Sequence, residues 1–175
     1  IERLKPYRER VAVLIFEFGT FARATFPTSV DFFVKLHSFL ASLPAGFRYA
    51  VEIRNPEFLG TDYFSLLSSH NTAHVFNAWT RMPEIKSQLE MGNSLTADFT
   101  VARALLTRHR TYEDAVKRFE PYQETQEPNL GTRDALKELA VTAMKRKKPA
   151  FLFVNNRLEG NAPSTIEAVV NSIES

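Results

Sequence analysis

The chain has 175 residues, 44% hydrophobic and 24% charged, which is enough for one hydrophobic core of ordinary globular composition. A formal net charge of +2 excludes a strong overall field that would attract nucleic acid or a membrane surface. The absence of cysteine excludes a disulfide framework and thiolate chemistry. We therefore predict a single domain over residues 1–175.

The amino-terminal segment and the apolar runs are typical of a cytoplasmic protein. No apolar run approaches the roughly 20 residues needed to cross a bilayer, so no membrane segment is expected. The opening "IERLKPYRER" lacks the apolar centre of a signal peptide. Because the chain starts with Ile1 rather than methionine, we expect a processed or truncated piece.

Five short and nearly continuous apolar runs predict the buried strands of a parallel sheet. In chain order they cover residues 11–18, 48–54, 73–78, 95–101 and 150–156. Between the runs, apolar residues recur at helical spacing, as in Leu136, Leu139 and Ala143. A strand followed by a helix, repeated about five times, predicts a parallel α/β protein.

Polar residues mark where several helices begin. Thr28 and Asp31 have the spacing of a capping box, and Asp62 and Thr132 are predicted single caps. Pro163 suits the first turn of the last helix.

Three stretches resemble the YecE-like family, also called domain of unknown function 72. They are "RYAVEIRNPEF", "RTYEDAVKRFEPY" and "FLFVNNRLEGNAPSTIEAV". The resemblance implies a TIM-type β/α barrel of roughly 250 residues. This chain would be the carboxyl-terminal two-thirds, a partial barrel of about five parallel βα units that lacks the amino-terminal strands. Five strands leave two open edges, so we expect a missing amino-terminal segment or another chain to cover the open sheet edge.

Binding residues of parallel β/α proteins lie beyond the carboxyl ends of the strands. Those ends carry a polar set consisting of Glu17, Glu52, Arg54, Asn77, Trp79, Arg103, Asn155 and Asn156. Glu52 and Arg54 are two residues apart and share the face opposite Val51 and Ile53, which predicts an ion pair inside the barrel. The pair is either a catalytic carboxylate beside an anion-binding guanidinium or a structural salt bridge.

The last predicted strand leads into a second polar segment. Asn155 shares a face with Phe151 and Phe153, which would place its amide above an aromatic layer at the barrel mouth. Asn156 turns toward the loop, for ligand binding or for loop-ordering hydrogen bonds. Gly160 allows close backbone approach, and the free amide groups of the following helix are expected to hold an oxyanion.

The remaining candidates are less specific. Trp79 suits stacking on a ring-shaped ligand or packing as a lid on its own loop. His74 lies early in its strand, which favours a satisfied core histidine. No metal-ligand, Walker, GxGxxG or GxSxG motif is present, so no metal site is predicted and the cofactor is unknown.

The sequence leaves three functions open. The first is an enzyme or binder of a small anionic or phosphorylated substrate, in which Glu52 is the acid–base group and Arg54 and Arg103 bind the anion. In that hypothesis Asn155 and Asn156 orient the substrate. The second is a nucleic-acid-binding module, and the third is a non-catalytic scaffold whose polar strand ends are structural.

Overall fold

A computed structural model describes residues 1–174 and contains one five-stranded parallel sheet with helices along it. The strands are β1 (Leu14–Phe18), β2 (Tyr49–Ile53), β3 (Ala73–Ala78), β4 (Thr100–Ala104) and β5 (Ala150–Val154). The α-helices are α1 (Ser29–Ala41), α2 (Thr61–Ser69), α3 (Ile85–Glu90), α4 (Tyr112–Phe119), α5 (Leu130–Lys145) and α6 (Ala162–Glu174). Short 3₁₀ helices cover Glu2–Arg10 and Pro56–Phe58.

The strands follow one another in space as they do in sequence, in the order β1-β2-β3-β4-β5. Each neighbouring pair is parallel. This order, with helices between the strands, is that of a β/α barrel and confirms the predicted fold class. The sheet is not closed, because β1 and β5 are its two edge strands among the described residues. No helix of this part of the chain is both long and apolar enough to cross a membrane.

Alternate residues of each strand face opposite sides of the sheet. The outer face packs against the helices: Val51 and Ile53 cluster with residues of α1 and α2, and Ala102 and Ala104 cluster with residues of α5. The intervening residues define the inner face. An apolar layer on the inner face is formed by Ile15, Ala50, Val75, Val101 and Phe151. Charged residues lie beyond this layer, toward the carboxyl ends of the strands.

The predicted bounds of the fourth strand, residues 95–101, are wrong because β4 begins at Thr100. Thr96 bonds instead to the start of β3. Its Oγ1 accepts from the backbone N of His74 at 2.7 Å and donates to the carbonyl of Thr72 at 2.7 Å. The segment before Thr100 therefore ties down β3, and Arg103 lies inside β4 rather than beyond its end.

The predicted helix starts are correct for α1 and for α6, where Pro163 lies in the first turn, and wrong for α2 and α5. The capping box is confirmed, because Asp31 N donates to Thr28 Oγ1 and Thr28 N donates to the Asp31 carboxylate. Asp62 lies inside the first turn of α2, and the cap position of that helix is occupied by Gly60. Thr132 is not the cap of α5; its backbone N donates to the side chain of the true cap, Asn129, at 3.0 Å.

Candidate functional site

Four charged side chains meet on the inner face near the carboxyl ends of β1, β2 and β4. We name Glu17, Glu52, Arg54 and Arg103 the charge cluster. Arg54 Nη2 lies 2.7 Å from Glu17 Oε1, and Arg54 Nε lies 3.4 Å from Glu52 Oε1. Arg103 Nη1 lies 2.7 Å from Glu17 Oε2 and also donates to Glu52 Oε2. Each arginine thus bridges both carboxylates.

Strand register explains why the charge cluster forms. Glu17 is the direct partner of Glu52 across the parallel pair β1–β2. Neighbouring strands lie about 4.8 Å apart, so the two carboxylates are held close to each other. Their repulsion requires cations nearby. Arg54 follows Glu52 by two residues on the same face, and Arg103 reaches across from β4. The predicted pair of Glu52 and Arg54 is present, but each of them also has a partner on another strand.

Burial differs sharply within the charge cluster. The Glu52 side chain is 0% exposed, whereas that of Glu17 is 37% exposed and that of Arg103 is 24% exposed. Burial raises the pKa of Glu52 above its ordinary value, although the nearby Arg103 and Arg54 favour its charged form. Glu52 is therefore a carboxyl group that holds a proton more readily than an exposed glutamate.

Trp79 follows β3 and covers one side of the charge cluster. The guanidinium carbon of Arg54 lies 3.8 Å from the centre of the Trp79 ring, a cation–π contact that fixes the guanidinium plane. Trp79 also packs against a cluster that contains Leu106 and Phe119. The Trp79 ring therefore stacks on Arg54, whereas the sequence left open stacking on a ligand or packing as a lid. The ligand role of Trp79 stays a prediction.

Asn77 is buried next to the charge cluster, in register with Arg103. Its Nδ2 donates to the carbonyl of Ile53 at 3.0 Å, and its backbone carbonyl accepts from Gln88 Nε2 at 2.7 Å. Within residues 1–174, Asn77 Oδ1 is buried without a hydrogen-bond partner. Gln88 carried no sequence signal, because its contact with β3 depends on how α3 packs.

The two adjacent asparagines after β5 make local hydrogen bonds. Asn155 Oδ1 accepts from the backbone N of Arg157 at 3.0 Å. Asn156 Oδ1 accepts from the backbone N of Ala162 at 2.8 Å, which supports the loop-ordering interpretation. Substrate binding by Asn155 and Asn156 is not needed to explain these contacts and stays a prediction.

Gly160 and the start of α6 also have contacts within the chain. Gly160 has φ of +112°, and a Cβ there would lie 2.6 Å from the carbonyl oxygen of Glu124. The close approach that Gly160 allows is therefore to the chain's own backbone. The expectation of free amide groups at the start of α6 is wrong, because the Asn161 side chain accepts from Ser164 N at 2.9 Å and Asn156 accepts from Ala162 N.

A buried ion pair that sequence reasoning missed lies behind this loop. Glu159 is fully buried, and Arg133 Nη2 binds it at 2.6 Å. Thr165 Oγ1 donates to the same carboxylate at 2.7 Å, and the backbone N of Asn129 donates to its other oxygen. These contacts join the starts of α5 and α6, so Glu159 has a structural role. Its partners come from distant parts of the chain and left no local pattern.

His74 is a core residue, as predicted, but only one of its nitrogens is satisfied. Its Nε2 lies 3.1 Å from Gln88 Oε1, whereas Nδ1 is buried without a partner in the described chain. Burial lowers the pKa of His74 to about 4, so the ring is neutral near pH 7. Among residues 1–174, no three His, Cys, Asp or Glu side chains are placed to hold a metal ion.

The fold is similar to solved structures of two proteins described as DUF72 family proteins. The first, from Thermotoga maritima, is 19% identical with a TM-score of 0.66, and the match covers 99% of this chain and 63% of that one. The second, from Enterococcus faecalis, is 16% identical with a TM-score of 0.65 and the same coverage. The chain thus spans less than two-thirds of their length, and it matches no curated protein. The family model described as "Protein of unknown function DUF72" matches residues 1–175, and the chain therefore belongs to that family.

Proposed function

We propose that the charge cluster binds a small anionic substrate, such as a phosphorylated molecule, and that the protein is an enzyme that uses Glu52 as acid–base group. The observation that carries the proposal is the position of Glu17. Its two carboxylate oxygens are held by two guanidinium groups, each at 2.7 Å, from Arg54 and Arg103. A ligand carboxylate or phosphate is bound by paired arginines in the same way.

Glu17 is the most exposed member of the charge cluster, so it is the member that an anion would displace. Arg103 uses one nitrogen, Nη1, for both carboxylates, so the rest of its guanidinium group remains for a ligand. The cluster lies near the carboxyl ends of the strands, where the sites of β/α barrels are found. Since the fold does not determine the reaction, the proposal depends on these charges.

Glu52 suits proton transfer because its pKa is raised by burial and its carboxylate contacts the anion-binding Arg103. When Arg103 turns to a ligand, Glu52 loses part of the positive charge that keeps it ionised. Anion binding is therefore expected to promote proton uptake at Glu52. This coupling gives the site an acid group next to the bound anion.

The experiment is a thermal-unfolding series with inorganic phosphate and glucose 6-phosphate. Both ligands are expected to raise the Tm of the wild-type chain, by mass action. Glu17→Gln removes the internal competitor and is expected to bind up to about fivefold more tightly. The double variant Glu52→Gln/Arg103→Met removes the anion site without leaving an unpaired buried carboxylate, and it is expected to lose the shift. Arg118→Met, which breaks a surface ion pair with Glu127, is the matched control.

Three outcomes decide against the proposal. A folded double variant with an unchanged phosphate shift would place the anion elsewhere. Steeply salt-dependent binding of a short oligonucleotide, without binding of glucose 6-phosphate, would favour the nucleic-acid module. If Glu52→Gln and Arg54→Met each lowered stability and left every ligand shift intact, the charge cluster would be a structural scaffold.

A further inference from the structure

A polar cavity of about 270 Å³ lies between the loop after β1 and the loop after β2. Its aromatic wall contains Phe21, Phe26 and Phe58, and its polar wall contains Arg23, Asn55 and Glu57. None of the four residues of the charge cluster lines it. The cavity is slightly smaller than the range of about 300–1,000 Å³ that is usual for ligand sites, which favours a small molecule.

Two side chains of opposite charge line this cavity and form no ion pair with each other among the described residues. Among the described residues, the Arg23 side chain has no hydrogen bond or ion pair, and the only hydrogen bond of Glu57's carboxylate is to Asn55. Two such groups beside one small cavity are arranged for a ligand that carries both charges. A carboxylate suits the guanidinium of Arg23, and an ammonium suits the carboxylate of Glu57.

Glu57 is held in place from behind by a buried amide. Asn55 is 2% exposed, and its Nδ2 donates to Glu57 Oε1 at 2.7 Å. The same amide group binds Phe21, because Oδ1 accepts from Phe21 N at 2.7 Å and Nδ2 donates to Phe21 O at 3.3 Å. Asn55 thus fixes the carboxylate and the aromatic wall together, and Glu57 Oε2 is left for a ligand donor. This preorganisation lowers the entropic cost of binding.

From this arrangement we propose that the cavity binds a small zwitterionic amino acid with an apolar side chain. The ammonium group binds Glu57, the carboxylate binds Arg23, and the side chain packs on the phenylalanine rings. Those rings also attract the ammonium group through their faces. This site is separate from the charge cluster and does not depend on the function proposed for it.

The test is isothermal titration calorimetry with L-alanine, L-leucine and L-phenylalanine. At least one of these amino acids is expected to bind. The half-molecules of L-leucine, 3-methylbutylamine and 4-methylpentanoate, each lack one charge and are expected to bind at least about tenfold more weakly than L-leucine. Arg23→Gln and Glu57→Gln are each expected to weaken binding by a similar factor. Arg108→Gln and Glu124→Gln, which change charges outside the cavity, are the matched controls.

The proposal is overturned if none of the three amino acids produces heat with the folded protein at millimolar concentration. It is also overturned if Arg23→Gln and Glu57→Gln both bind as the wild type does, or if either half-molecule binds as tightly as L-leucine. The variant Glu52→Gln/Arg103→Met must keep amino-acid binding. If that variant folds but loses amino-acid binding, the amino acid binds at the charge cluster instead. If only phosphate binding fails, the function proposed for the charge cluster is wrong and the amino-acid site is not affected.

Discussion

Glu52 and His74 are both buried ionisable residues whose neutral forms are favoured by burial. For Glu52 the folded pKa is raised, so the folded chain holds a proton that the unfolded chain releases, and stability falls as pH rises through that window. For His74 the folded pKa is lowered, so the unfolded chain takes up a proton first and stability falls as pH decreases. The two residues therefore act on stability in opposite directions with pH.

As pH falls from 7 to 4, His74 is expected to lower the free energy of unfolding by roughly 3 kcal/mol, because its pKa is 6.5 in the unfolded chain and about 4 in the folded chain. His74→Phe removes this contribution and should flatten that part of the pH profile. The measurement is the free energy of urea unfolding at several pH values. His109→Asn, which replaces an exposed histidine with φ of +65°, is the control for loss of an imidazole outside the core.

Glu52→Gln is expected to become more stable relative to the wild type as pH rises above about 4.5, the ordinary pKa of glutamate. The reason is that the wild type must then bury an ionised carboxylate, and the variant does not. Urea unfolding of both chains at pH 5 and pH 8 measures the difference. An equal rise in Glu17→Gln would contradict the assignment of the effect to the burial of Glu52.

The sequence predicts the correct face of the sheet for Glu52 and Arg54, but it does not predict all of their contacts. The alternation of Val51, Glu52, Ile53 and Arg54 predicts which side chains point inward, because the strand period is two. The contact of Glu52 with Arg103 depends on the register of β2, β3 and β4 together. No local pattern specifies that register, so the direct contact of Arg103 with Glu52 and the contacts of Glu17 with both arginines could not be predicted.

At the scale of elements, the apolar runs located every strand, but side-chain hydrogen bonds decided where elements begin. Thr96 bonds to β3, so the fourth strand starts later than its apolar run. Asn129 caps α5 three residues before Thr132, since its side chain accepts from the Thr132 backbone. Hydrophobic periodicity carries no information about such bonds, so it predicts the middle of a strand or helix more reliably than its ends.

The loop between β5 and α6 tests whether Gly160 has a structural role. Gly160→Ala is expected to destabilise the fold by roughly 2 kcal/mol or more, because the residue has positive φ and the new Cβ would clash with the Glu124 carbonyl. Gly19→Ala, where a Cβ meets no atom of residues 1–174 within 4 Å, is the control and should change stability little. Chemical unfolding measures both. Wild-type stability for Gly160→Ala would contradict the structural explanation and restore a ligand role.

At the scale of the whole molecule, apolar surface is exposed on the outer side of the edge strand β5. An apolar groove of about 450 Å³ lies between α5, α6 and β5. Met144 at its rim is 65% exposed, and Ile166 and Val170 are 46% and 45% exposed. Exposed apolar patches beside an unpaired strand are typical association sites, because both the apolar surface and the strand edge gain from a partner.

We therefore expect the chain to associate with a second copy through this groove as concentration rises. Ile166→Lys and Val170→Lys place a charge in the contact, so each is expected to shift the equilibrium toward monomer. Leu130→Lys is the matched control, because Leu130 is 66% exposed on α5 but does not line the groove. Sedimentation velocity over a concentration series measures the change. Association that Leu130→Lys weakens as much as Val170→Lys does would contradict the groove as the contact, since a general gain of positive charge would then explain both results.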